Sequence, residues 1–145
     1  MAVSNNQNGQ SFFEVIVAVG IISIVMITLV ALASASIRAS TFSRNQTEAS
    51  RFTEQAAEWL REEKDASWTT FNTYAATKNW CLDSLYWQKP RTCNAQDVIS
   101  GTVFTRSLKF TVNADTSIEA DVQTAWTDGQ GTHTAQTSII FTNWK

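Results

Sequence analysis

From Val15 to Ile37 the chain runs 23 residues without a charged side chain. As a helix, such a run is about 34 Å long, enough to cross the hydrocarbon core of a bilayer. Whatever else the chain does, this stretch must be given apolar surroundings. One acid, Glu14, stands at its mouth. A carboxylate at a bilayer midplane costs on the order of 3 kcal/mol, and less near the interface. Its presence therefore implies a partner or a task.

With the amino-terminal stretch set aside, one modest folded domain remains in a chain of 145 residues. Glu14 is the only charge before Arg38, so residues 38–145 hold 11 Lys and Arg against 12 Asp and Glu. A near-neutral domain is a poor electrostatic partner for nucleic acid as a whole. There is one Pro and there are five Gly, so no Pro- or Gly-rich linker and no internal repeat stand out.

Nothing between Ile37 and Glu63 breaks a helix, since neither Gly nor Pro occurs there. Ala49, Phe52, Ala56, Trp59 and Leu60 recur at three- and four-residue steps and draw one apolar stripe. Glu48, Arg51, Glu54, Glu58, Arg61 and Glu62 fall largely off it, with Glu58 and Arg61 spaced to pair. The apolar helix is thus expected to continue unbroken, as an amphipathic helix, to about Lys64, with Asp65-Ala66-Ser67 as its exit.

A Trp-rich segment follows, carrying Trp68, Phe71, Tyr74, Trp80, Tyr86 and Trp87 with little periodicity. It reads as a loop with short helical or strand pieces. Trp80 and Trp87 either pack as core or stack on sugars or bases. Cys81 and Cys93, the only two cysteines, bracket Leu82 to Thr92. In an exported domain they are expected to bond to each other, which is worth roughly 3 kcal/mol for a ring of this size.

The last third is strand-like. Across Phe104–Val112 the even positions are apolar apart from Arg106, and the odd ones are polar. Asn113 to Ser117 reads as a turn. Ile118, Ala120, Val122 and Trp126 then share one face, Asp128-Gly129-Gln130-Gly131 connects a hairpin, and Thr132 to Thr142 carries Ile139 and Phe141 on one side. Three strands in meander order, each with one wet face, describe an antiparallel sheet. The Phe52/Trp59 stripe is the evident cover for its dry face. The expected fold is therefore α+β, a long amino-terminal helix packed on a small antiparallel sheet.

Signals for an enzyme are sparse. No Walker A loop, GxSxG, HExxH or CxxC occurs, and no cofactor is implied. His133, the one histidine, sits beside the hairpin among threonines and reads as a solvated strand-end residue. Glu58, Glu62, Glu63 and Asp65 cluster on the helix but lack the loop spacing of a calcium site. Two cysteines and one histidine do not make a structural zinc site. No metal ligand is assigned.

Gly9-Gln10-Ser11-Phe12-Phe13-Glu14, followed by the long apolar run, resembles the cleavage and methylation signal of type IV prepilins. The resemblance covers residues 1–37 closely and the remainder in layout. It implies cleavage between Gly9 and Gln10 by a membrane prepilin peptidase, which also methylates the new amino terminus. Gln10 becomes the first mature residue and Glu14 the fifth, where the family keeps its Glu. Gln10 and Glu14 are i and i+4, so the carboxylate lies on the face of the freed amine and can pair with it or with that of a neighbouring subunit.

On this reading residues 1–9 are the leader and 10–37 the transmembrane and assembly half of the helix. Residues 38–66 are its amphipathic half, and 67–145 hold the Trp-rich disulfide loop and the sheet. The implied function is that of a structural subunit, a minor one, of a type IV pilus or of a secretion or DNA-uptake pseudopilus. Its partners would be other pilin subunits, the peptidase, the inner-membrane assembly platform and lipid. It would sit in the inner membrane before assembly and in a surface filament after it.

Several features differ from the family pattern. Position 10 is Gln, where Phe or Met is usual, and an amino-terminal Gln either accepts methylation or cyclises. Met1 to Gly9 has no Lys or Arg, whereas Arg38, Arg44 and Arg51 follow the apolar run, opposite to the positive-inside rule. A second reading takes the start as a conventional secretory signal cut after Ala33-Ser34-Ala35, leaving Ser36 first and exporting or anchoring a surface-binding module that uses the Trp-rich loop. Against it stand the absent basic region, the length of the apolar core and the acid at its start.

Overall fold

A computed structural model describes the backbone of residues 8–143 and side chains from Phe12 onward. Two helices and four strands follow one another: α1 (Asn8–Ala66), α2 (Trp68–Ala75), β1 (Asn79–Cys81), β2 (Thr105–Val112), β3 (Ile118–Asp128) and β4 (Gly131–Phe141). The chain divides into two compact units at Phe42/Ser43. The first is the apolar part of α1. The second, from Ser43, contains the rest of α1 and all other elements. The class is α+β, as the sequence implies.

In the second unit, α1 buries Ala49, Thr53, Ala56, Ala57 and Leu60, while Phe52 and Trp59 flank that line half-buried. Steps of four, three and four residues from Ala49 to Leu60 keep the line on one face. The stripe expected from the sequence is thus present, but a threonine occupies its middle and the two large aromatics stand at its sides. The helix stops because Ser67 turns to an extended conformation and its hydroxyl accepts the Thr70 N–H, capping α2.

The sheet is wholly antiparallel in the order β1-β2-β3-β4. The expected meander of three strands is present, with a short fourth strand, β1, added beside β2 through Asn79↔Lys109, Trp80↔Leu108 and Cys81↔Ser107. Three residues carry no legible alternation, so β1 is set by its partner strand and not by local pattern. The segment read as an irregular loop accordingly resolves into α2 and β1. Phe104, just before β2, and Arg106, Leu108 and Phe110 within it alternate inward as expected, but Val112, at the strand end, is exposed.

Two clusters make the core. The larger joins Ala56 and Leu60 of α1, Phe71 of α2, Trp80 and Leu82, and the inward faces of the strands from Leu108 to Phe141. The smaller joins Ala49, Phe104, Trp126 and Ala135. Between them runs a polar row across the sheet. Arg106 faces Thr124 in the β2/β3 register, and Thr124 faces Ala135 in the β3/β4 register. The Thr53 hydroxyl donates to Ala49 O at 2.9 Å and lies 2.9 Å from the Thr124 hydroxyl and 3.4 Å from Ala135 O. Arg106, only 2% exposed, donates from Nε to Leu82 O and from Nη1 to Phe52 O, each at 3.0 Å. Burial pushes its guanidinium down to about 10, opposed by the nearby Asp83 carboxylate.

Turn chemistry closes the strands. The Asp128 carboxylate accepts the Gln130 N–H at 2.8 Å in the two-residue β3/β4 connection, and Gly131 takes a positive φ of 130°. In the β2/β3 turn, Asn113 N–H bonds to Ser117 O, and the Asp115 carboxylate accepts both the N–H and the hydroxyl of Ser117.

The polar row yields the first prediction. Arg106→Met removes two hydrogen bonds from a charged donor and lowers stability by about 3 kcal/mol or more, since such bonds are worth about 1.5–3 kcal/mol each. Thr53→Val and Thr124→Val each cost about 1 kcal/mol. The double variant costs less than their sum, because no hydroxyl is then left without its partner. Urea midpoints of the full chain in detergent micelles measure all four, and strict additivity would contradict the pairing.

A second prediction concerns acid. Asp97 is held below the ordinary 3.8 by the Arg91 guanidinium and the Asn94 N–H. Asp115 is held low by Ser117, and Asp128 by the Gln130 N–H and the His133 ring. These carboxyls bind protons less readily when folded than when unfolded. Their stabilisation is therefore present above the unfolded value and is lost as the pH falls through the folded ones. The urea midpoint should drop below about pH 4, and Asp97→Asn should shrink that drop.

Candidate functional site

The side chains that most constrain function are those of the first unit. All residues from Phe12 to Phe42 are exposed, among them Phe13 at 70%, Ile24 at 65% and Leu32 at 68%. Monomeric proteins in water rarely expose contiguous apolar surface beyond a few hundred Å². This helix is long and apolar enough to cross a membrane. Its hydroxyls are already satisfied within the helix: Ser23 donates to Val19 O at 2.7 Å, Thr28 to Val25 O at 2.7 Å and Ser34 to Val30 O at 2.9 Å. A hydroxyl bonded to its own backbone costs little to bring into lipid or against another helix.

Glu14 lies at the start of this surface and is exposed. Gly9 and Gln10 fall within the backbone of α1's first turns. Their side chains, residues Met1 to Gln7 of the expected leader and the expected Gln10–Glu14 pairing lie outside the described residues. Arg38 and Arg44 follow the apolar run on the same helix and are likewise exposed.

The other candidate residues are placed within the second unit. Cys81 and Cys93 form a disulfide with an S–S distance of 2.04 Å. Trp80 is buried, and its indole N–H donates to Thr77 O at 3.0 Å and to Tyr74 O at 3.2 Å. Trp87 stacks on Tyr74 with centroids 4.3 Å apart and planes 16° from parallel, lies 4.6 Å from the Trp59 ring, and donates its indole N–H to Glu63 at 2.6 Å. The Trp faces that could have met a sugar or base are thus engaged within the protein.

The acidic residues at the end of α1 also have local partners: Glu58 pairs with Arg61, Asp65 with Lys64, and Glu63 with Trp87. Among the described residues no cluster of His, Cys, Asp and Glu is arranged to hold a metal. His133 is half-buried, with Nε2 3.0 Å from Asp128 and its ring against Trp126, so it is less solvated than its strand-end position suggests.

Sequence reasoning passed over Thr53 and left Arg106 as an exception to a pattern. The signal for Arg106 was that exception itself, a cation at an inward position of an otherwise apolar face. Thr53 gave no such signal, because a threonine within a helix is ordinary.

No family model, characterised protein or solved structure matches this chain.

The exposed apolar surface makes a direct prediction. Ile24→Arg, near the middle of the run, adds on the order of 3 kcal/mol to insertion. It should increase the fraction of chain released from membranes by alkaline carbonate, whereas Thr41→Arg should not. Equal release of the two variants would contradict a bilayer-embedded Val15–Ile37.

Proposed function

We propose that the chain is a structural subunit of a type IV pilus or of a related secretion or DNA-uptake pseudopilus, held and assembled through its amino-terminal helix. The observation that carries this reading is the join of two features on one helix. Gly9 and Glu14 stand at prepilin spacing, and behind them lies an apolar surface that is exposed from Phe12 to Ile37. A subunit of this kind uses such a surface twice, against lipid before assembly and against neighbouring helices after it.

The α+β fold supports the reading, since a helix on an antiparallel sheet with a disulfide-closed loop is the layout of that family. A minor subunit is favoured over an abundant one, because the family's abundant subunits usually carry a helix-kinking Pro and an aromatic first residue. Here the run from Val15 to Ile37 has no Pro and position 10 is Gln.

In this mechanism Glu14 is useful only as the partner of an amine that cleavage creates at Gln10. In an isolated membrane helix, replacing Glu14 by Val removes a charge from lipid and is harmless or favourable. In a filament it removes one member of a pair. Glu14→Val is therefore expected to be inserted and cut after Gly9 yet to enter filaments poorly, at a tenth or less of the normal amount for a loss of about 1.4 kcal/mol. Glu14→Asp should be intermediate, and Gly9→Val should leave full-length protein in the membrane. Mass spectrometry of the amino-terminal peptide from sheared filaments and from membranes reads all three. A peptide beginning at Ser36, or normal incorporation of Gly9→Val, would overturn the proposal.

A further inference from the structure

The two cysteines of the Cys81–Cys93 bond stand in unlike places. Cys81 lies in β1, 2% exposed, opposite Ser107 and between the buried Trp80 and Leu82. The chain on both sides of it is tied to β2. Trp80 pairs with Leu108, the Leu82 N–H donates to Arg106 O at 2.8 Å, and Leu82 O accepts from Arg106 Nε at 3.0 Å. Cys93 belongs to no strand and is half-buried. None of residues 88–103 is buried, so the arm that carries Cys93 has no side chain in the core. Polar contacts hold it instead. Arg91 pairs with Asp97 and lies 3.9 Å from Asp83, and Asp97 accepts the Asn94 N–H at 2.7 Å. One end of the bond is thus fixed in the sheet, and the other rides on a surface arm.

We propose that Cys93 is a thiol–disulfide exchange site, the residue at which an external dithiol opens the bond and through which the oxidised form of that partner closes it. Which sulfur is attacked depends on access. A thiolate reaches Cys81 only by parting β1 from what covers it. It reaches Cys93 by displacing only exposed or half-buried residues of the arm. The incoming thiolate bonds to Cys93 Sγ, the Cys81–Cys93 bond breaks, and its electron pair leaves on Cys81 Sγ, which takes a proton from water. The partner's second thiolate then attacks the partner's own sulfur in the mixed disulfide. The partner leaves as a disulfide, and the Cys93 thiolate is released and protonated. Two electrons have passed from the dithiol to the bond, and oxidation is the same sequence reversed.

The site favours a partner with paired thiols over one with a single thiol. After the first step Cys81 stays beside the mixed disulfide, because β1 holds it there, and its return attack expels the newcomer. A second thiol on the partner competes with that return, whereas a lone thiol has nothing to oppose it. The freed Cys93 S–H also has an acceptor at hand, since its sulfur lies 3.2 Å from Arg106 O. Burial slows the exchange without redirecting it, because a thiolate leaves reluctantly into an apolar site.

The test uses the oxidised full chain in detergent micelles and reduced thioredoxin whose resolving cysteine is replaced by Ser. Acid quenching fixes the mixed disulfide, and peptide mass mapping reads which cysteine carries it. Cys93 is expected to exceed Cys81 by about ten to one or more. With intact thioredoxin, hydrogen exchange should quicken in residues 88–98 and stay slow in β1 and β2. Reduced glutathione at the same thiol concentration should leave the bond largely closed. In single-cysteine chains, Cys81→Ser should form a mixed disulfide with glutathione disulfide faster than Cys93→Ser does. The mapping on the unaltered chain decides if either variant fails to fold.

A majority at Cys81, equal trapping at both cysteines, or trapping only in urea would overturn the proposal. Equal reduction by glutathione and thioredoxin would overturn the assignment to a dithiol. None of these outcomes depends on cleavage after Gly9 or on filament entry, so failure here and failure of the filament reading are told apart.

Discussion

Where α1 crosses the sheet, a buried guanidinium reaches two backbone carbonyls that belong to different parts of the fold, Phe52 O on the helix and Leu82 O just beyond β1. Neither acceptor is a carboxylate, so there is no ion pair to compensate the desolvation of Arg106, and the lowered pKa records that cost. The geometry returns something in exchange. The Arg106 carbonyl accepts the Leu82 N–H at 2.8 Å while its side chain donates to Leu82 O, so one residue extends the β1/β2 ladder past the end of β1. Because the same side chain reaches the helix, the depth of α1 over the sheet and the position of the disulfide ring are set by one residue.

The two core clusters take their places on either side of that row. An apolar contact tolerates sliding, because its energy depends on area and not on direction. A polar row does not, since a helix displaced by one residue would take Thr53 from Thr124 and Phe52 O from Arg106. The row therefore contributes register as well as stability, and the aromatic cluster of Phe71, Tyr74, Trp80 and Trp87 packs beside it. The Cys81–Cys93 bond ties the ring to β1 and acts chiefly by restricting the unfolded chain, at roughly 3 kcal/mol.

What could be read in advance was what repeats. The apolar run, the helix through Glu63, and β2, β3 and β4 each have a period long enough to stand above noise, and the hairpins carry Asp-Gly and Asn/Asp turn residues. α2 and β1 were too short to show one, and their form depends on contacts with β2 and α1 that no local window contains. Val112 kept its place in the alternation but lies at the strand end, where the face is no longer covered. For the amino-terminal residues the position is different. The roles proposed for Gly9, Gln10 and Glu14 are legible only as spacing, because on that proposal they depend on a peptidase and on neighbouring subunits that lie outside the chain's own fold.

Two signals in the chain point to opposite sides of a membrane, and they measure different things. Arg38, Arg44 and Arg51 follow the apolar run, and by charge bias alone they favour a cytoplasmic carboxy-terminal unit. The disulfide favours the opposite side, since such bonds persist in oxidising compartments and are rare where thiols are kept reduced. Charge bias acts during insertion, and long loops and domains translocate largely regardless of it. A structural disulfide reports where the folded protein resides. Arg51 also lies on the part of α1 that belongs to the folded unit, beside Phe52 and Thr53, so its place there follows from the helix's polar face and need not be an orientation signal. With Arg51 discounted, two arginines stand against one bond, and the oxidising side that the bond favours is the side the proposed filament subunit requires.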